Sequence, residues 1–266
     1  METIRKYLFD LSYRAGETLM KYYGKLEEID TKSGEIDLVT VADRKSEEII
    51  IKGIRKAFPD HNILAEESGE SSERSSDFFW VIDPLDGTTN FAHSYPIFST
   101  SIAVQKKDKI LMGIVYNPYY KELFYGERGR GAFLNNRPIH VSDTVELKRS
   151  MLLTGFAYDR RARARLYLER FKAFMDVCHG VRRAGSAALD ICSVACGRAE
   201  GYWEENLKPW DTAAGCVILE EAGGKVSDFS GAPFSIRKTQ FLATNGLIHQ
   251  EMLGVLKKCD TEKREY

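Results

Sequence analysis

Apolar side chains at Ile4, Leu8, Leu11, Ala15, Leu19 and Tyr22 recur at three- and four-residue spacing, the signature of one buried helix face, and the pattern ends at Gly24. A short hairpin is predicted next, with arms from Leu26 to Asp30 and from Ile36 to Val39 around a turn of Lys32, Ser33 and Gly34. A second helix is predicted from Ala42 to Phe58, where Pro59 stops it. Two apolar runs, Asn62 to Ala65 and Phe78 to Ile82, then read as strands, each ending at a carboxylate. The polar segment from Ser68 to Asp77 has no periodicity and reads as a mobile loop.

From Phe98 to Tyr125 the runs STSIAVQ, ILMGIVYN and ELFYG predict an antiparallel meander, with Gly126, Gly129 and Gly131 as turns. Beyond it, strands at Met151 to Thr154, Gly180 to Arg183, Ala199 to Glu204, Lys225 to Ser227 and Phe241 to Thr244 alternate with helical stretches. Those helices fall near Arg161 to Val177, Ser186 to Cys196, Thr212 to Ala222 and Leu247 to Lys258. Sheets in such a chain must be covered by helices in a layered α and β architecture. No internal repeat or linker breaks the 266 residues. One domain is expected, with an N-terminal lobe to about residue 145 and a C-terminal lobe from about 146.

Composition narrows the classes. The 38 basic and 39 acidic residues nearly cancel, so no global field favours nucleic acid or a membrane surface. No stretch reaches the roughly 18 apolar residues of a membrane span, and the N-terminus lacks a signal peptide's apolar block. Five cysteines without a Cys-x-x-Cys pair fit a reducing cytoplasm. The five histidines are scattered, which disfavours zinc.

The chemistry concentrates in Trp80 to Phe91, WVIDPLDGTTNF. A strand runs into Asp83, Pro84 is expected to break it, and Asp86 follows one turn later. Both carboxylates and the Leu85 carbonyl can then converge on one point. Oxygen donors so placed suit a hard divalent cation such as Mg²⁺. The small residues Gly87, Thr88 and Thr89 leave backbone N–H groups able to meet an anion beside it. Two aspartates across a proline also serve as plain turn and helix caps. Glu66 reads equally as a solvated strand end, and Asp211 as a helix N-cap.

DPLDGTTNF, AEES at Ala65 to Ser68 and PWDTAAG at Pro209 to Gly215 closely resemble the inositol monophosphatase family of metal-dependent, lithium-sensitive phosphatases. The likeness continues through DLVTVAD at Asp37 to Asp43, RRAGSAAL at Arg182 to Leu189 and EEAGG at Glu220 to Gly224. It implies a layered α/β/α/β/α sandwich of the sugar-phosphatase type. It also implies two to three Mg²⁺ ions, with Glu66, Asp83 and the Leu85 carbonyl holding the first and Asp83, Asp86 and Asp211 the second, while Glu66 helps hold a weaker third.

By the same resemblance Gly87 and Thr88 contact phosphate, and Thr88 with Asp43 orients the attacking water. Gly185, Ser186, Ala187 and Glu204 grip the alcohol portion, Asp211 lies beside it, and Lys32 matches a basic residue of a mobile hairpin. The expected reaction is hydrolysis of a phosphorylated polyol or sugar, inositol monophosphate first and fructose 1,6-bisphosphate second, by a homodimer. A rival of another class is a regulator that binds the transcription machinery. Its one sequence handle is the basic cluster DRRARAR, Asp159 to Arg165, which also suits a solvated helix start.

Overall fold

A computed structural model describes residues 1–25, 29–31, 38–71 and 76–261. Helix α1 (Glu2–Tyr22) buries Ile4, Leu8, Leu11, Ala15 and Leu19, the stripe that its spacing predicts, and packs against helix α2 (Val41–Ala57). Strands β1 (Ile29–Thr31) and β2 (Leu38–Thr40) pair antiparallel and close the expected hairpin. Its turn, Lys32 included, lies outside the described residues.

Eight strands follow: β3 (Asn62–Ala65), β4 (Gly69–Ser71), β5 (Phe78–Asp86), β6 (Ser99–Lys106), β7 (Lys109–Asn117), β8 (Glu122–Glu127), β9 (Gly131–Leu134) and β10 (Arg137–Ile139). They form one sheet in the order β10-β9-β8-β7-β6-β5-β3-β4. Every pair is antiparallel except β3 with β5. Three expectations are corrected here. Pro84 does not end its strand: β5 runs on to Asp86 through a register shift between Asp83 and Asp86, and a bulge is where a strand tolerates a residue with no N–H. The segment after Ser68 is not all loop, because Gly69–Ser71 pairs with β3 as the edge strand β4, whose half-exposed polar residues carry no alternation to read. Gly126 is no turn but a buried position inside β8.

The second half supplies β11 (Met151–Thr154), α4 (Arg160–Met175), β12 (Gly180–Arg182), α5 (Ala187–Ala195), β13 (Gly201–Glu205), α6 (Pro209–Glu221), β14 (Lys225–Ser227), β15 (Gln240–Thr244) and α7 (His249–Thr261), preceded in the chain by the short α3 (Thr88–Ala92). Its five strands order as β12-β11-β13-β15-β14, with β11 parallel to both neighbours. One apolar cluster, including Leu8, Ile50, Trp80 and Ile102, joins α1 and α2 to the large sheet. A second, including Val115, Ile191, Val217 and Tyr202, sets α5 and α6 between the two sheets. A third, including Phe174, Trp203 and Met252, joins α4 and α7 to the small sheet. The layers are therefore α/β/α/β/α, as expected. No helix among the described residues is long and apolar enough to cross a membrane.

Candidate active site

Parallel pairing of β3 with β5 does what spacing along the chain cannot. Ala65 lies opposite Ile82, so the next residues, Glu66 just past β3 and Asp83 within β5, stand side by side, and Glu66 N donates to Ile82 O at 3.2 Å. The Asp83 side chain turns back to accept from Leu85 N at 3.0 Å, an Asx-type turn that shapes the bulge. Ser46 Oγ on α2 donates to Pro84 O at 2.9 Å and fixes the same bulge from the other side.

Asp86 sits on the N-terminus of α5. Ala187 N donates to its Oδ1 at 3.2 Å and Ala188 N to its Oδ2 at 3.0 Å, while Ser186 Oγ, the N-cap side chain, also donates to Oδ2. The unsatisfied N–H groups of a helix start are natural partners for an anion. Ser186 and Ala187, expected on the substrate alcohol, thus also anchor Asp86. Asp211 is not the N-cap of α6 but its third residue, and its Oδ2 accepts from Lys208 N at 2.7 Å in a capping box. Ser101 Oγ of β6 donates to Trp210 O at 3.3 Å and ties this helix start to the large sheet.

The four carboxylates feel one another. Burial first, then the charges of Glu66, Asp86 and Asp211, hold Asp83 well above the usual carboxylate range. Asp211 keeps some solvent exposure, yet the protein around it raises its pKa strongly, with Glu66, Asp86 and Glu204 adding to the rise. Burial pushes Asp86 up to about 6 against the opposing pull of its hydrogen bonds from α5. As the side chains stand, no three His, Cys, Asp or Glu among the described residues close into a metal cage. Asp83 and Glu66 are nevertheless close enough for their side chains to share a hydrogen bond, which also favours the protonated form of Asp83. The donor set is all oxygen and strongly anionic, which fits hard divalent cations and not zinc or copper.

Asp43 completes the group from α2. Thr40 N and Thr40 Oγ1 both donate to Oδ2, at 2.8 and 2.6 Å, which leaves Oδ1 for the Thr88 hydroxyl at 3.1 Å. Burial raises Asp43 to about 6 despite the two Thr40 bonds. Gly87, at φ +89, turns the chain from β5 into α3, and a Cβ there would lie 2.9 Å from Ile97 O and 3.2 Å from Gly185 O. Asn90 Nδ2 donates to Ala184 O at 2.9 Å, which brings Gly185 against this turn. Glu204 reaches the same region from β13. Burial lifts it to about 7, while the hydroxyl of Tyr202, donating to Oε2, pulls the other way.

Sequence reading passed over Tyr202, whose i, i+2 spacing from Glu204 on one strand was the available signal, and Ser99, whose hydroxyl lies 3.5 Å from Asp86 Oδ2. The basic cluster is largely engaged. Arg163 pairs with Asp159 at 3.2 Å and with Glu205 at 2.7 Å, Arg165 pairs with Glu169 at 2.6 Å, and Arg160 stacks over Tyr158. His61 stacks between Phe58 and Phe78, and none of the five cysteines is in a disulfide.

A layered α/β/α/β/α protein that gathers carboxylates from strand ends and helix starts around a β-bulge belongs to the class of phosphate-processing hydrolases built on this sandwich. Comparison with known proteins narrows the class. The sequence profile of the inositol monophosphatase family matches residues 1–261. Inositol-1-monophosphatase of Synechocystis is 50% identical over 242 residues, 91% of this chain and 84% of that one. The solved structure of inositol monophosphatase from Anabaena (Nostoc) superposes with TM-score 0.88 at 44% identity, covering 97% of this chain and 96% of the other. Nus factor SuhB of Pasteurella multocida is 41% identical, with 92% of each chain covered. The chain belongs to the inositol monophosphatase family, and it is a phosphatase of that family.

Proposed function

We propose that the chain hydrolyses inositol monophosphate to myo-inositol and phosphate with Mg²⁺ as cofactor. The observation that carries the reading is the convergence of Glu66, Asp83, Asp86 and Asp211 beside the Asp43–Thr88 hydroxyl contact. Glu66, Asp83 and the Leu85 carbonyl would hold one cation, Asp83, Asp86 and Asp211 a second, and Glu66 would share in a third. Bound Mg²⁺ supplies charge neutralisation at the phosphoryl oxygens, activation of water and stabilisation of the leaving alkoxide.

The chain's own residues do the positioning. With the Leu85 carbonyl directed at a cation, the Thr88 hydroxyl would donate to Asp43 Oδ1, 3.1 Å away, and its oxygen would accept a hydrogen bond from the attacking water; as that water gives its proton to Thr88, Thr88 passes its own to Asp43. Gly87 and Thr88 present backbone N–H groups to the phosphate across a turn that a side chain at Gly87 would obstruct. Gly185, Ser186, Ala187 and Glu204 would face the alcohol portion, with the Glu204 carboxylate, one oxygen of which accepts from the Tyr202 hydroxyl, accepting from a substrate hydroxyl through the other. Lithium, competing at a cation position, inhibits, and the enzyme works as a homodimer in the cytoplasm.

Turnover with Mg²⁺ on inositol 1-phosphate, fructose 1,6-bisphosphate, histidinol phosphate and adenosine bisphosphate tests the reading. Inositol 1-phosphate is expected to give the highest kcat/KM. A clear preference for fructose 1,6-bisphosphate would move the assignment to that sister activity. A second reading, a regulator that binds the transcription machinery, is favoured by relatives named Nus factor SuhB. Charge reversal at Arg160 and Arg161 tests it. Arg163 does not belong in that test, because its pairs with Asp159 and Glu205 are internal.

A further inference from the structure

The Glu204 carboxylate lies flat against Gly155, the first residue after β11. A Cβ built on Gly155 would fall inside that carboxylate, with Oε2, Cδ and Oε1 all in the way. The two positions are neighbours because β11 runs parallel to β13 with Thr154 opposite Trp203, and Thr154 Oγ1 donates to Trp203 O at 2.8 Å to lock the register. Gly155 is buried, and its φ is not in the left-handed region, so the backbone itself does not demand glycine there. What an added methyl group meets is the end of one flexible side chain.

Glu204 is held from a second direction by the Tyr202 hydroxyl on Oε2. Its Oε1 makes no hydrogen bond to any described residue, and the side chain keeps a partial opening to solvent. The carboxylate therefore has a fixed back at Gly155, one oxygen held by the Tyr202 hydroxyl and one oxygen without a hydrogen bond to a described residue. An acceptor so restrained discriminates between ligands that offer a hydroxyl at that point and ligands that do not.

We infer that Gly155 is a positioning residue that sets the Glu204 carboxylate and, through it, the preference for phosphates carried on a polyhydroxylated ring over phosphates carried on an apolar group. The inference rests on the reading of Glu204 as a contact to the substrate alcohol. Glu204 touches the substrate; Gly155 acts only by leaving it room. With Gly155→Ala the carboxylate swings off its seat, and the polyol loses an acceptor while the phosphoryl-transfer residues stay where they are.

Steady-state kinetics of the full chain with Mg²⁺, on inositol 1-phosphate and on p-nitrophenyl phosphate, tests this. Gly155→Ala is expected to lower the ratio of the two kcat/KM values about tenfold, mainly through KM for inositol 1-phosphate, the size of effect that losing one charge-assisted hydrogen bond produces. Adding Gly155→Ala to Glu204→Ala, where the missing side chain leaves space for the methyl group, is expected to change the ratio no further. Equal losses on both substrates, an unchanged ratio in Gly155→Ala, or an additional drop in the Glu204→Ala background would each overturn it. Should Gly155→Ala alone fail to fold, the comparison of Glu204→Ala with the double variant still decides. A parent protein that hydrolyses neither phosphate overturns the phosphatase reading of Glu204 and this inference together.

Discussion

The Thr88 hydroxyl stands 3.1 Å from Asp43 Oδ1 and 3.0 Å from Leu85 O, a contact that joins two helix starts 45 positions apart in the chain. A hydroxyl carries one proton, so it can satisfy only one of these acceptors at a time. When the Leu85 carbonyl is turned to a cation, the proton belongs to Asp43. Thr88→Ala is therefore expected to reduce kcat by roughly 10² to 10³ with little change in KM, the usual scale for losing one proton-positioning group. Thr88→Ser keeps the hydroxyl and should retain most of the rate. Equal activities for the alanine and serine variants would remove Thr88 from the proposed water-orienting pair.

The carboxylate cluster makes a prediction about stability that is independent of turnover. Asp43 and Asp86 titrate near 6 in the folded protein, above the ordinary aspartate value of 3.8, because burial disfavours their charge. A raised carboxylate pKa means that the folded state binds more protons than the unfolded chain across that window. Its contribution is full below the unfolded value and is lost as pH rises through about 6. Metal-free protein should accordingly melt at lower temperature at pH 8 than at pH 5.5, and Mg²⁺ should raise the melting temperature far more at pH 8. In Asp86→Asn the Mg²⁺ response should shrink sharply. A Tm that ignores Mg²⁺ at pH 8 in the parent protein would count against the cation site itself.

His249 gives a pH dependence of opposite sign. Its ring is 1% exposed, with Nε2 at 2.9 Å from Ser227 Oγ and Nδ1 at 2.9 Å from Thr244 Oγ1. Burial lowers its pKa to about 4, from 6.5, so the unfolded chain takes up a proton over a range where the native state refuses it. Stability from this group is complete above pH 6.5 and is lost as pH falls toward 4, by up to about 3 kcal/mol. Chemical denaturation of His249→Gln should show a shallower acid limb than the parent between pH 6.5 and 4.5. Parallel limbs would mean that the ring titrates normally.

How much of this was readable from residues alone depends on how far apart the partners lie. Local signals carried the helices: the apolar stripe of α1, the punctuation at Gly24 and Pro59 and the turn chemistry around Asp83 to Thr88 all act within a few positions. Long-range pairing had no such signal. That Glu66 adjoins Asp83 follows from β3 lying parallel to β5. That Asp86 lies on α5 follows from the docking of an element 100 positions later. The resemblance supplied those groupings; no period in the sequence does. The strand through Pro84 and the edge strand β4 were misread for one reason: a bulge and a polar edge both lack the alternation that marks a strand.

Glycines on the large sheet tie packing to the site and set the last prediction. A Cβ at Gly113 would lie 2.6 Å from Ala214 Cα, and one at Gly126 would lie 2.7 Å from Ile218 Cα, so both meet the backbone of α6. Backbone cannot rotate aside as a side chain does, so relief requires the whole helix to lift from β7 and β8. Gly113→Ala and Gly126→Ala are each expected to cost about 1–3 kcal/mol in denaturant titrations. The N-terminus of α6 carries Asp211, and Gly113 faces Ala214 within one turn of it. Gly113→Ala should therefore also raise the Mg²⁺ concentration needed for half-maximal activity, whereas Gly126→Ala, one turn further along at Ile218, should do so less. Destabilisation of equal size with no difference in Mg²⁺ requirement would show that Asp211 is held by the sheet contact at Trp210 rather than by the seating of α6.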